Sequence, residues 1–196
     1  MILWTIQPDD VFDEINRLGV YRCDINKSGM KDFADLQYDW LVSQMRKRIG
    51  PPPEGVSYPV WAWYQWRKDR RKHDLRWERW HCTPTGAKFY RLEVEIPDEQ
   101  VLLSDFDEWH GPLNDGLIAD TEEDDDELYR IYDSLSPDAK AEMRAKNWER
   151  VFDISPVHNE WMVRGESIQA TFWELRKEQV RKADMFISTF NPKRWS

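Results

Sequence analysis

The sequence predicts an α+β fold, in which a single domain spanning residues 1–196 forms a central mixed β-sheet flanked by helices. Three observations predict it. Apolar and charged residues alternate in Lys88–Ile96, the pattern of a strand with one buried face. Apolar residues recur every three or four positions in Lys31–Ile49, the pattern of an amphipathic helix. Segments of both kinds follow one another along the chain, whose length suits one domain.

The first half of the chain contains two predicted helices between strands. The apolar segment Ile2–Gln7 predicts a first strand, and the helix after it ends at Gly19, a residue that caps helices without steric cost. The second helix ends where Gly50 and three prolines interrupt its pattern. Three further strands are predicted at Tyr58–Trp66, Lys88–Ile96 and Val101–Phe106.

The second half contains an acidic run, two helices and two strands. The run at residues 119–127 predicts a solvated loop, because it lacks the residue spacing of a calcium-binding loop. Ser136 and Pro137 suit the N-cap and the first position of a helix. The helices and late strands are predicted at Leu128–Leu135, Asp138–Trp148, Glu166–Leu175 and Asp184–Phe190.

Charge is strongly segregated along the chain. The net charge is −9 at pH 7, yet residues 93–127 contain fifteen Asp and Glu and no Lys or Arg, which leaves +6 for the rest. This balance excludes polyanion binding by the whole surface and allows a local basic patch. We expect an acidic arm at 115–127 and a basic hairpin or loop at 67–82. An interaction protein whose acidic arm docks on a basic partner is one function class that follows.

Missing motifs exclude several kinds of site. Cys23 and Cys82 are far apart and no histidine pair has zinc-site spacing, so we expect neither a disulfide framework nor a metal. The standard phosphate loops and the GxSxG nucleophile elbow are absent, and the residues by themselves imply no cofactor. The N-terminus lacks signal-peptide features and no apolar run approaches a membrane span, which predicts a cytoplasmic protein with no membrane partner.

The segment Tyr58–Cys82 is rich in tryptophan and basic residues. It contains five of the twelve tryptophans and seven Lys or Arg residues. Trp61 and Trp63 share one face of the predicted strand, where they are either core or the wall of a cleft on which a nicotinamide or a base can stack. The loop that follows interleaves aromatic and basic residues as single-strand binders do, or is a solvated hairpin tip. A non-enzymatic binding module for nucleic acid or a protein partner is therefore one hypothesis.

Six motifs spread over nearly the whole chain resemble an uncharacterised bacterial family, a domain of unknown function. They are LWTIQ, IGPPPEG, YPVWAW, EIPDEQVLLSDFDEWH, NWERVFD and IQATFWELRKEQVRK. Together the motifs are specific, and the family that they indicate implies no activity.

At the level of fold, the order of elements is similar to that of ADP-ribosyltransferases. LWTIQ precedes a helix and a glycine, YPVWAWY stands in the middle, and IQATFWELRKEQVRKADMF stands near the end. The resemblance implies NAD as a substrate and ADP-ribosyl transfer as the reaction. Thr5 stands where the family has a histidine, and Gln169 where it has its catalytic glutamate. A glutamine lacks the charge that stabilises the transition state. Either Glu166 or Glu174 compensates, or the nucleotide is bound without transfer.

The candidate site is predicted near the carboxyl end of the first strand. Catalytic roles fall to Gln169 and Glu166, and the substrate-binding residues are Thr5, Gln7, Arg22, Trp61 and Trp63. Arg22 would clamp a phosphate or carboxylate with its planar guanidinium, or form a surface ion pair with Asp24. Two function hypotheses stay open: an ADP-ribosyltransferase-like protein that binds NAD or another ribosyl nucleotide through an altered triad, and the non-enzymatic binding module.

Overall fold

The computed structural model describes residues 1–24 and 35–189. These residues form ten strands and six α-helices. The strands are β1 (Ile2–Pro8), β2 (Val20–Arg22), β3 (Val60–Gln65), β4 (Lys88–Glu95), β5 (Leu102–Asp105), β6 (Val157–His158), β7 (Val163–Arg164), β8 (Ile168–Phe172), β9 (Glu174–Arg176) and β10 (Val180–Ile187). The helices are α1 (Asp9–Leu18), α2 (Asp35–Arg48), α3 (Leu75–His81), α4 (His110–Leu113), α5 (Glu122–Asp133) and α6 (Pro137–Asn147).

A six-stranded sheet in the order β10-β4-β1-β3-β8-β5 forms the centre of the fold. The predicted α+β class and the central sheet flanked by helices are confirmed. Every pairing in this sheet is antiparallel, where the sequence led us to expect a mixed sheet. The reason is that alternation of apolar residues identifies a half-buried strand but carries no information about the direction of its neighbours. Two small sheets, β2–β9 and β6–β7, are also antiparallel.

The central sheet separates two apolar cores. On one side Ala62 of β3 and Ala170 of β8 pack with Val11 and Ile15 of α1. On the other side the core is built from residues of α2, of the segment after α6 and of other loops and strands, and four of its members are tryptophans. It includes Leu41, Met45, Trp40, Trp109, Trp148 and Trp173. Both faces of β3 and β8 are therefore covered over much of their length, as the apolar character of these strands requires.

Several predicted elements are confirmed where local residues determine them. Gly19 ends α1 with a φ of 79°. Ser136 caps α6 by accepting a hydrogen bond from the backbone N–H of Ala139, and Pro137 is the first helical residue. The predicted second helix is observed from Asp35, and its residues 31–34 lie outside the described residues, as does Phe190 of the last predicted strand.

The acidic run forms part of a helix, where a solvated loop was predicted. Thr121 is the N-cap of α5, and its hydroxyl accepts a hydrogen bond from the backbone N–H of Asp124. Four acidic residues occupy the first turn of the helix, where the positive end of the helix dipole stabilises negative charge. The acidity that indicated a solvated loop therefore stabilises the start of a helix.

The basic segment 67–82 also contains a helix. A tight turn joins Trp66 to Asp69, and Asp74 then caps α3 by accepting a hydrogen bond from the backbone N–H of Arg76. The predicted hairpin is thus limited to the turn, because residues 75–81 contain neither glycine nor proline. None of the helices in residues 1–24 and 35–189 combines the length and the apolar character needed to cross a membrane.

Candidate ligand-binding site

The central sheet opens between β1 and β3. Each of these strands pairs along its length with its other neighbour, β4 or β8. With each other they pair only at Trp4 and Trp63, and both strands lie wholly within the described residues. Beyond that pair a side chain replaces a backbone ladder bond, since the Thr5 hydroxyl donates to the carbonyl of Trp61 over 2.9 Å. No other residue pair joins these two fully described strands in the ladder.

A cavity of about 460 Å³ occupies the opening. This volume falls within the roughly 300–1,000 Å³ typical of small-molecule sites. Residues of β1, β3, β8, α1 and α3 and residues around β2 line it. Five of the seven predicted site residues are among them, namely Thr5, Gln7, Trp61, Trp63 and Gln169. The structure brings these five together, and their roles in binding or catalysis stay predictions.

Strand alternation places these five residues on both faces of the sheet. Trp63 lies opposite Gln169 on β8 and opposite Trp4 on β1, so these side chains share one face. Thr5 and Gln7 are offset from Trp4 by an odd number of residues and point to the other face. The amide of Gln7 donates to the Thr5 hydroxyl over 2.8 Å, which links the two side chains. A ligand in the opening can thus contact both faces.

Arg22 and Glu166 do not line the cavity. The guanidinium of Arg22 lies 3.0 Å from the carboxylate of Glu174 on the neighbouring strand of the small sheet, so the two form an ion pair there. Glu166 lies 2.6 Å from the Lys68 ammonium, and the hydrogen bond from Lys68 lowers the pKa of Glu166. The predicted roles of both residues at the site stay predictions.

Two polar atoms on the cavity's lining residues lack a partner among the residues that the structure describes. They are the indole N–H of Trp61 and the side-chain carbonyl oxygen of Gln169, and both are withdrawn from solvent. Leaving such a group unpaired costs about 1–3 kcal/mol. One atom is a donor and the other is an acceptor, so a ligand that offers both functions can satisfy both.

The two tryptophans of β3 serve both as core and as cavity wall. The Trp61 ring lies 5.5 Å from the Trp109 ring, measured between ring centroids. The Trp63 ring lies 4.6 Å from Trp66 and 5.2 Å from His73 in the same measure. Aromatic packing on one side fixes the indole planes, and both residues line the cavity.

The charged residues that line the cavity are all acidic: Asp10, Asp24 and Glu78. Lys and Arg are absent from its lining, as far as the described residues extend. Burial raises the pKa of the Cys23 thiol, and the charge of Asp24 raises it further. The thiolate form is therefore disfavoured, and Cys23 is a poor nucleophile at neutral pH.

Sequence reasoning missed Glu78 and Asp10 as cavity residues. Glu78 belongs to a helix in a segment predicted as a hairpin, and Asp10 is in the first turn of α1. The N-cap at Asp74 and the helix start after Pro8 predict acidic residues early in two helices, but no sequence signal places either helix beside the cavity. A second cavity of about 700 Å³ lies near Met1, Pro51 and Trp173, and none of the predicted site residues lines it.

The basic segment 67–82 adjoins the cavity through Glu78 of α3. Trp77 on the same helix is 67% exposed. Three basic residues of the segment pair with carboxylates: Lys68 with Glu166, Arg71 with Asp69, and Arg76 with Asp74. The segment therefore presents an exposed aromatic ring and a positive charge that is partly neutralised.

Comparison with known proteins identifies a family. A family model described as a domain of unknown function (DUF3841) matches residues 2–181. No curated protein and no solved structure gives a significant match.

Proposed function

The chain belongs to the DUF3841 family, a domain of unknown function, and from its cavity we propose that it is an ADP-ribosyltransferase-like protein that binds NAD or another ribosyl nucleotide. The ligand's base and ribose occupy the opening between β1 and β3. The phosphates lie outside the acidic lining, toward the basic segment 67–82.

An unpartnered donor and an unpartnered acceptor, on two residues that line the cavity, carry this proposal. A carboxamide or the edge of a nucleobase offers an acceptor and a donor side by side. It complements the Trp61 N–H and the Gln169 carbonyl oxygen, both of which lack partners within the described part of the chain. The indole faces add stacking, which is worth about 1–3 kcal/mol per base in other proteins.

The residues around the cavity favour nucleotide binding without ADP-ribosyl transfer, because the late strand β8 offers Gln169 where transfer would need a glutamate. Gln169 carries no charge, so it cannot stabilise positive charge at a ribose carbon as a glutamate does. Neither Glu166 nor Glu174, the two carboxylates that could compensate, lines the cavity. We therefore propose that the protein binds a nucleotide without transferring ADP-ribose. Incubation with labelled NAD⁺ and cell lysate tests for transfer.

Replacing Gln169 tests the proposal. Gln169→Ala should abolish detectable NAD⁺ binding in calorimetry while the melting temperature changes little, because the lost carbonyl oxygen leaves no partner unsatisfied among the described residues. Gln100→Ala, at an exposed glutamine outside this cavity, is the control and should bind as the wild type does. Unchanged affinity in Gln169→Ala would refute the proposal, and a large loss of stability would show that Gln169 is a structural residue.

A second candidate function is recognition of single-stranded nucleic acid by the basic segment. The exposure of Trp77 beside basic residues favours it, since an exposed indole next to positive charge is a stacking platform for bases. Affinity for an oligonucleotide should then fall steeply with salt, and Trp77→Ala should weaken it. Binding that is independent of salt would exclude this function.

A further inference from the structure

The charge of the cavity restricts the class of ligand further than the shape of the cavity does. Asp10 and Glu78 lie in different helices and line the same opening, and no basic residue of the described structure lines it with them. The nearby tyrosine reports the same potential. Burial raises the pKa of Tyr21, and the negative charges of the carboxylates Glu14 and Asp10 raise it further. A negative potential attracts cations and repels phosphate groups.

The walls of the cavity suit an organic cation. Positive charge near an aromatic face is attracted by the ring quadrupole, most strongly by an indole. Trp61 and Trp63 are the two indoles of the wall, and their neighbours Trp109 and Trp66 hold them in place. An aromatic surface combined with carboxylates is the arrangement that recognises charged organic nitrogen.

Glu78 is held rigidly at the edge of this cavity. Its Oε1 lies 2.7 Å from Nδ1 of His73, and its side chain is 19% exposed. The His73 side chain is 7% exposed, its ring packs against Trp63 and Trp66, and its carbonyl accepts a hydrogen bond from the buried Arg91. Nε2 of His73 has no partner in residues 1–24 and 35–189. The contact with a ring that is itself packed against two indoles therefore fixes the position of the Glu78 carboxylate.

We infer that this cavity selects a permanently charged organic nitrogen, a pyridinium ring above all, and that Glu78 is the residue that selects for the positive charge. The inference rests on the proposed function for the location of the ligand site. It adds the ligand's charge, which the proposed function leaves open. The His73 side chain is a positioning residue that orients Glu78.

Two nearly matched ligands test the inference. 1-Methylnicotinamide is a cation, whereas nicotinamide is neutral and lacks only the methyl group. Titrations followed by tryptophan fluorescence should show that the wild type binds the cation at least about tenfold more tightly, a difference of about 1.4 kcal/mol. Glu78→Gln should bring the two affinities to within about threefold, mainly by weakening the binding of the cation. Glu99→Gln, at an exposed residue outside the cavity, should keep the wild-type preference.

Two further measurements use only the wild type, so they do not depend on whether the Glu78→Gln variant folds. In the wild type, raising the salt concentration to about 0.5 M should weaken binding of the cation and leave nicotinamide unchanged. Choline compared with its neutral isostere 3,3-dimethyl-1-butanol shows whether the ring is required. Choline binding as tightly as 1-methylnicotinamide would overturn the preference for a pyridinium.

The outcomes separate this inference from the proposed function. Equal affinities of the wild type for the charged and neutral ligands would overturn the inference even if NAD⁺ binds. A full preference for the cation in a folded Glu78→Gln variant would overturn the role of Glu78. Selective binding of the cation together with no binding of NAD⁺ would support the inference and refute the proposed function alone.

Discussion

Glu108 and Arg164 form a buried ion pair that is only partly satisfied. Their side chains are both almost fully buried, and Nη1 of Arg164 lies 3.3 Å from Oε1 of Glu108. The other carboxylate oxygen of Glu108 has no partner within the described residues. Burial raises the pKa of Glu108 to about 7, although Arg164 opposes this shift. Removing a carboxylate from water costs more here than the pair returns.

This pair makes stability depend on pH in a predictable direction. The pKa of Glu108 in the folded protein is about 7, above the ordinary value of 4.5. Between these two pH values the folded protein holds a proton on Glu108 that the unfolded chain has released. The contribution of Glu108 to stability is therefore present below about pH 4.5 and is lost as the pH rises to about 7. Glu108→Gln should remove this loss, while Arg164 keeps Asp120 and Asp153 as partners.

Urea denaturation at about pH 5 and about pH 8 measures the effect. The free energy of unfolding should decrease more between these two values in the wild type than in Glu108→Gln. Carboxylates with lowered pKa values, such as Asp184, change stability only at lower pH. They are present in both the wild type and Glu108→Gln. The same decrease in both proteins would show that Glu108 does not titrate in this range.

At the scale of the elements, the connection between β7 and β8 depends on Gly165. Its φ is 77°, and a Cβ built there would lie 2.9 Å from the carbonyl oxygen of Ile154 and 2.9 Å from the Cα of Pro156. Its N–H donates to the buried carboxylate of Asp105 over 2.6 Å. The start of β8, and with it the placement of Gln169, depends on this close backbone approach.

Gly165→Ala should therefore destabilise the protein by more than the strain of a positive φ alone. That strain is about 1–2 kcal/mol, and the clash with rigid backbone atoms adds about 1–3 kcal/mol. Gly86→Ala is the matched control, because Gly86 has a φ of 83° and a Cβ placed there would meet no described atom within 4 Å. Thermal or urea denaturation compares the two variants. Equal losses of stability would contradict the close approach at Gly165.

The elements also show what a sequence can and cannot predict. Gly19 and Ser136 act through local backbone geometry, so their caps could be predicted from neighbouring residues. The opening between β1 and β3 could not be predicted from the sequence, because strand register depends on contacts between distant segments. Thr5 and Gln169 could be proposed as cavity residues because the predicted order of elements resembles that of ADP-ribosyltransferases, a resemblance that itself stays a prediction. Glu78 could not be proposed as a cavity residue, since only tertiary packing brings α3 to the cavity.

At the scale of the whole molecule, charge and topology together define the candidate site. The acidic residues of α5 and the basic residues of the segment 67–82 are on separate elements. The cavity itself lies where the central sheet opens, with an acidic lining and two indoles in its wall. Our central claim is that the base and ribose of a nucleotide bind in this opening, and that the base does not stack on the exposed Trp77 of the basic segment.

The indole N–H signals of ¹⁵N-labelled protein test this claim most directly. The chain has twelve tryptophans, and single Trp→Phe variants assign the signals of Trp61, Trp63 and Trp77. On addition of NAD⁺ we predict that the signals of Trp61 and Trp63 shift, because the base contacts the walls of the cavity, while that of Trp77 on the outer surface stays in place. Unchanged Trp61 and Trp63 signals at saturating NAD⁺, with or without a shift of Trp77, would contradict the claim.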